Sequence, residues 1–217
     1  MAYRQTERVR QRLAARHKSL IDAARAIAAE QGMDAVQIVP VADRAEIAAG
    51  TVYRYFASKS ALVEALVADV ADSELAAMRN AADAAPGPLS ALAAAIVTFA
   101  ARAVRHRRLA WAVLSEPVDA EIDRARQAFR KELVAEFEKR IVAARASGHL
   151  ADTDPALAAP ALTGALLEGL VGPLAPTASE KDAVRVLALF GLRGVGIVDA
   201  RARGLVVQSV MPAAEAS

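Results

Sequence analysis

At 217 residues the chain is long enough for one large domain or a small head on a larger body, so burying a core poses no problem of size. Hydrophobic residues make up 55% but aromatics only 4%, an Ala-rich balance that favours close-packed helices over a sheet-built core. The absence of cysteine excludes disulfides, thiolate catalysis and Cys-ligated zinc, and fits a reducing compartment, so the expected location is cytoplasmic. A formal net charge of +2 is too small to make the whole molecule an attractor of nucleic acid.

The charge is unevenly placed. Residues 1–18 carry Arg4, Arg8, Arg10, Arg12, Arg16 and Lys18 against the single acid Glu7, while residues 61–217 are slightly acidic in compensation. No apolar run with a small-residue cleavage site follows this basic stretch, so it does not read as a secretory signal. It reads either as a solvated helix face or as a phosphate-binding footprint.

A first helix is predicted from Arg16 to Gln31, with Leu20, Ile21, Ala24, Ile27 and Ala28 on one face and Gly32 as its stop. A second, at 38–45, carries Pro40 in its first turn, where the missing N–H has no intrahelical partner to lose. After a break at Glu46 to Ala48, AGTVYRYF reads as a third helix ending near Phe56. Ser58 is placed to cap a fourth from Lys59 to about Ala82, and APGP at 85–88 closes it.

Helical patterning then recurs at about 89–105, 107–115, 119–147, 155–173 and 180–203, without strand alternation or an internal repeat. The expectation is an all-α fold of about nine helices. It divides into an N-terminal head at 1–60, a connecting helix at 61–84, a body at 85–204, and a tail at 205–217. The most membrane-like stretch, 155–175, holds Pro160, Glu168 and Pro173, which argues against a span.

Two short helices joined by a tight turn, the second starting on small residues, are what a major-groove reader needs, because bulk in the first turn holds the backbone off the bases. Ala48, Ala49, Gly50 and Thr51 meet that need. Thr51 offers a hydroxyl to a base and a methyl to thymine, while Tyr53, Arg54 and Tyr55 suit phosphate contacts that fix register. For Tyr53 and Tyr55 the alternative is an aromatic core, which is the expected place of Phe56. Lys59 adds charge at the amino end of helix 4, where free N–H groups already favour an anion.

The stretch VADRAEIAAGTVYRYFASKSALVEAL resembles the DNA-binding head of the TetR family of bacterial regulators, over roughly residues 16–66. The resemblance implies that Gln37 starts helix 2 and belongs to the DNA contacts, that Val41 and Ala42 pack helix 2, and that Ala49 to Tyr55 form the recognition helix. It implies further that the basic N-terminus, Arg16 included, is an arm or an extension of helix 1 reaching the flanking backbone or minor groove. The chain departs from the family pattern at Glu46, where glycine makes the turn, and at Gln37 and Pro40.

The same resemblance implies that the last two long helices pair with those of a second subunit, presenting two heads to a palindromic operator. Leu187, Phe190, Gly191, Gly194 and Val198 share one face there and are the expected dimer seam. A small-molecule inducer, expected to be largely apolar, would sit among body helices, with Phe99, Arg102, Trp111, Leu114, Phe129 and Glu168 as candidate contacts. No cofactor or metal is expected.

Catalysis is disfavoured. His17, His106 and His149 are scattered, no HExxH or GxSxG occurs, and GLRGVG at 191–196 is neither GxGxxG nor preceded by a strand. The expected function is a ligand-responsive repressor, with a ligand-independent or activating DNA-binding protein as the alternative.

Overall fold

The computed structural model describes residues 2–117, 120–150, 152–173, 175 and 179–210. Among them are ten α-helices and no strand: α1 (Ala2–Gln31), α2 (Ile38–Arg44), α3 (Ala49–Val52), α4 (Lys59–Asp83), α5 (Pro88–Arg105), α6 (Arg107–Leu114), α7 (Ala120–Ala146), α8 (Pro155–Leu170), α9 (Glu180–Gly194) and α10 (Asp199–Val210). The head is α1 to α3 with the start of α4, and the remaining helices form the body.

Helix α1 begins fourteen residues before the predicted start, because residues 2–15 are rich in good helix formers, although residues 8–15 are exposed. Val9 and Leu13 continue the apolar stripe and remain exposed, so the stripe loses its burial and not its helix. The basic N-terminus is thus a helical extension. The side chain of Arg4 lies outside the described residues.

Chain breaks are local and chemically explicit. Ser58 caps α4, its Oγ accepting from Ala61 N at 3.1 Å. Asp154 caps α8 through Ala156 N at 3.0 Å, and Pro155 follows at the first helical position. The predicted helix at 180–203 is two helices. Gly196 takes a φ of 97°, and Ile197 N reaches back to the Leu192 carbonyl at 3.0 Å, which closes α9 in a Schellman turn and starts α10 afresh. Helix α10 then runs through Val210 with Leu205 and Val206 buried, so packed body extends past the residue 204 expected as its limit. Residues 211–217 lie outside the described residues.

Helix α5 is the axis of the body, packing on α4, α7, α8, α9 and α10. Leu92, Ile96 and Phe99 are buried on it, and Phe99 meets Phe137 of α7 edge to face with ring centroids 6.5 Å apart. It is α5, and not 155–175, that is long and apolar enough to cross a membrane, but most of it is buried in the core, as expected of a central helix.

One ionic cluster clamps α4 to α7. Glu136, only 4% exposed, accepts from Arg79 Nε and Arg140 Nε at 2.9 Å each, and Arg140 also donates to Asp83 at 2.9 Å. Burial raises the Glu136 carboxyl, but the hydrogen bonds from Arg79 and Arg140 outweigh it and hold the group below its ordinary value.

Candidate nucleic-acid interface

The helix-turn-helix is set by the way α2 ends. Ala45 closes the helix, Glu46 N donates to the Asp43 carbonyl at 3.1 Å, and Ile47 N donates to the Ala42 carbonyl at 3.0 Å. These are the paired bonds of a Schellman turn, which needs a left-handed residue at its centre. Glu46 takes that conformation, with a φ of 54°, and is the one non-glycine residue to do so among those described. Glycine fills the equivalent position after α7 (Gly148) and after α9 (Gly196).

The departure from glycine at 46 therefore leaves the turn intact and stores strain in it. Glu46→Gly is expected to stabilise the chain by about 1 kcal/mol, the cost of a left-handed side-chain residue less the entropy glycine gains when unfolded. A thermal melt raised by roughly 2–4 °C is the corresponding readout.

Gln37 stands at the start of α2, as the resemblance implies, but its side chain makes no capping bond. Its amide nitrogen donates to the Asp34 carbonyl at 2.9 Å, in the 3-10 turn Met33–Ala35. Helix α2 is held instead from its other end, where Arg44 forms a two-pronged ion pair with Glu30 of α1 at 2.5 and 2.6 Å. This pairing keeps the Glu30 carboxyl below its usual range. Val41 and Ala42 are fully buried, as the resemblance implies, and Pro40 is exposed in the first turn.

Helix α3 is shorter than predicted. Regular helix covers Ala49–Val52, and Arg54 N and Tyr55 N then bond three residues back, to Thr51 and Val52 carbonyls at 3.1 and 2.9 Å. Tightening into 3-10 geometry brings Phe56 down onto the core, where it is buried with the His17 ring 4.9 Å away. Val52 is buried beside it.

What remains outside is the expected reading surface. Gly50 is exposed, and a Cβ placed on it would have no atom within 4 Å. Thr51 is half-buried, Ala49 likewise, and Tyr53 is 57% exposed. Arg54 is exposed, Lys59 is half-exposed beside the capped start of α4, and neither makes an ion pair among the described residues. Tyr55 is half-buried against the core, which is the alternative considered for it. Arg16 is half-buried on α1, and Arg8, Arg10 and Arg12 are exposed on the extension.

The body candidates divide. Phe99, Arg102, Leu114 and Phe129 come together around one small cavity between α4, α5, α6 and α7, joined by Glu74, His106 and Val113. Arg102 is paired there with Glu74 at 2.6 and 2.9 Å, a partner that sequence reading missed because it lies on a different helix. The cavity holds about 20 Å³, room for roughly one water. Trp111 is half-buried outside that lining, and Glu168 is exposed on α8.

The proposed seam divides as well. Phe190 and Val198 are 60% and 70% exposed, and Gly194 faces open space. Gly191 instead packs inward, where a Cβ would lie 2.6 Å from Leu162 of α8. Leu187, half-buried, fills the space over Gly169 of α8 in the same way. Two of the five residues thus join α8 to α9 within the chain, because one helical stripe borders both its own neighbour and solvent.

Residues 20–66 match the model of bacterial regulatory proteins of the tetR family. The head is that of the TetR family. Within it, the repressor KstR of Mycobacterium tuberculosis (strain ATCC 25618 / H37Rv) is 57% identical over 44 residues, 20% of each chain. KstR of Rhodococcus jostii (strain RHA1) is 47% identical over 53 residues, 24% of this chain and 25% of that relative. The matched stretch is therefore a quarter or less of these relatives, and the likeness resides in the TetR-family head.

Over the whole length the likeness is one of fold. FadR, a fatty acid degradation regulator from Bacillus halodurans, superposes with a TM-score of 0.73 at 19% identity, covering 84% of this chain and 97% of that one. RolR in complex with resorcinol superposes at 0.66 and 22% identity, covering 90% and 95%.

Proposed function

We propose that the chain is a ligand-responsive transcriptional repressor that binds a palindromic operator as a homodimer and is released by a small, largely apolar inducer. The observation that carries the DNA-binding part is the surface of the TetR-family head. Gly50 stands open at the start of α3, and Thr51, Tyr53, Arg54 and Lys59, which follow it in the chain, have their polar ends unpaired among the described residues. Such a head works where the chromosome is, in the cytoplasm.

Dimerisation is supported by the exposed large apolar side chains of α8 and α9, namely Leu157, Val186 and Phe190. The inducer part is supported by the cavity around Phe99, Leu114 and Phe129, with Arg102 and Glu74 as its polar groups. Solved relatives of the same fold hold small molecules, resorcinol in RolR and stearoyl-CoA in FadR of Bacillus subtilis. A molecule that binds better to an opened body with misplaced heads must weaken DNA binding by linkage.

The small size of the cavity favours a second reading, a DNA-binding protein that takes no ligand. A small molecule that raises the melting temperature and releases DNA decides for the first.

Tyr53→Ala or Lys59→Ala is expected to weaken operator binding by about tenfold, the worth of one hydrogen bond to a charged phosphate. The dimer, followed by sedimentation, is expected to persist. Unchanged affinity in a gel-shift titration would remove these two residues from the interface.

A further inference from the structure

Head and body meet where α6 ends. Glu116, two residues beyond α6, accepts a hydrogen bond from the backbone N–H of Met33 at 2.9 Å, across 83 positions of sequence. Met33 opens the 3-10 turn Met33–Ala35, and no side chain of the turn's own flanking residue caps it. A carboxylate from the body thus does what a Ser or Asp before the turn would otherwise do. Room for it depends on Gly32, whose φ is 96° and on which a Cβ would lie 2.9 Å from Glu116 Oε1. The Met33 side chain is buried in the head, and α2 starts five residues later. What Glu116 grips is therefore the root of the helix-turn-helix.

The same short helix touches the cavity. Leu109, Ala110, Val113 and Leu114 of α6 line it. The end of α6 is held from α7, where Arg126 donates to the carbonyls of Ala112 and Glu116, and Arg130 donates to the carbonyl of Leu114 at 2.8 Å. Helix α6 is thus clamped at its end, and the clamp takes in the backbone of Glu116 while its carboxylate reaches Met33. With about 20 Å³ of free space, the cavity is closed in this conformation.

We infer that Glu116 is the latch that couples the cavity to the head. It caps the Met33 turn while the cavity is closed, and an outward shift of α6 that opens the cavity withdraws it and loosens the root of α2. This rests on the ligand-responsive reading above, and Glu116 acts as a positioning residue, since it lies in the body and not on the reading surface.

The test needs no inducer. Hydrogen exchange at the Met33 amide is measured in the full chain, together with affinity for the duplex that the full chain selects from a random pool. Glu116→Ala is expected to speed Met33 exchange at least tenfold and to weaken DNA binding at least fivefold. Glu116→Gln, which keeps an acceptor oxygen at the same reach, is expected to retain most of both.

Ala110→Phe, which crowds the cavity from α6, is expected to reproduce the Glu116→Ala effects and to add nothing in the Glu116→Ala background. Additive effects, equal behaviour of the Gln and Ala variants, or unchanged Met33 exchange in Glu116→Ala would each overturn the latch. Should Ala110→Phe not fold, the contrast of Ala with Gln at 116 decides alone. If the parent chain binds no DNA, the repressor reading falls, and Met33 exchange still decides the latch.

Discussion

Replacing Gly50 by leucine is expected to leave the melting temperature at or slightly above that of the parent and to reduce operator binding by at least about a hundredfold. The two halves of this expectation have separate causes. A Cβ at position 50 meets nothing within 4 Å, so the fold accommodates the side chain. Leucine is also the better helix former by somewhat under 1 kcal/mol. At the DNA, however, Gly50 stands in the first turn of α3, where an isobutyl group holds the helix off the base edges. Losing even one or two base contacts at about 1–3 kcal/mol each accounts for the hundredfold. A destabilised fold together with weakened binding would instead make Gly50 a packing residue.

The second large effect lies in the body. Glu136→Ala is expected to destabilise the chain by about 3 kcal/mol, the lower end of the cost of stripping one partner from a buried ion pair, because Arg140 keeps Asp83. Denaturant titration measures it directly. The pH dependence has a definite sign. The folded Glu136 carboxyl lies below its ordinary value, so its contribution is present above the unfolded value of about 4.3 and is lost as pH falls through the folded one. Glu136→Gln should therefore flatten the loss of stability below about pH 4.3, and an acid profile as steep as the parent's would contradict this.

These two residues also show what was legible in the sequence. Gly50 belongs to a short-range pattern: small residues, Thr51 and an aromatic-basic run follow a tight turn, and local chemistry is all that such a surface requires. The heads of α4 and α8 are equally local, since Ser58 and Asp154 each cap a helix within three residues of themselves. Glu136 is of the other kind. On α7 it reads as an exposed helix-face acid until Arg79, 57 positions earlier, is brought against it.

The same distinction explains the errors. YRYF continues a helical pattern that predicts helix through Phe56, whereas regular helix ends at Val52 and a turn carries Phe56 into the core. Periodicity likewise predicts one helix over 180–203, because the left-handed turn at Gly196 is invisible to it. Residue type alone points to Phe99, Arg102, Trp111, Leu114, Phe129 and Glu168 as ligand contacts, and Phe99, Arg102, Leu114 and Phe129 converge on the cavity whereas Trp111 and Glu168 do not. Type suggests which side chains suit a cavity, and only packing decides which ones face it.

The proposed function stands on the head as a reader of a two-fold DNA site. The most direct measurement is selection of duplexes from a random pool by the purified full chain, followed by sequencing of what is retained. The expected result is an inverted repeat whose half-sites are spaced for two heads, with retention lost in Gly50→Leu. A pool that stays random, or a motif retained equally by Gly50→Leu, would contradict it.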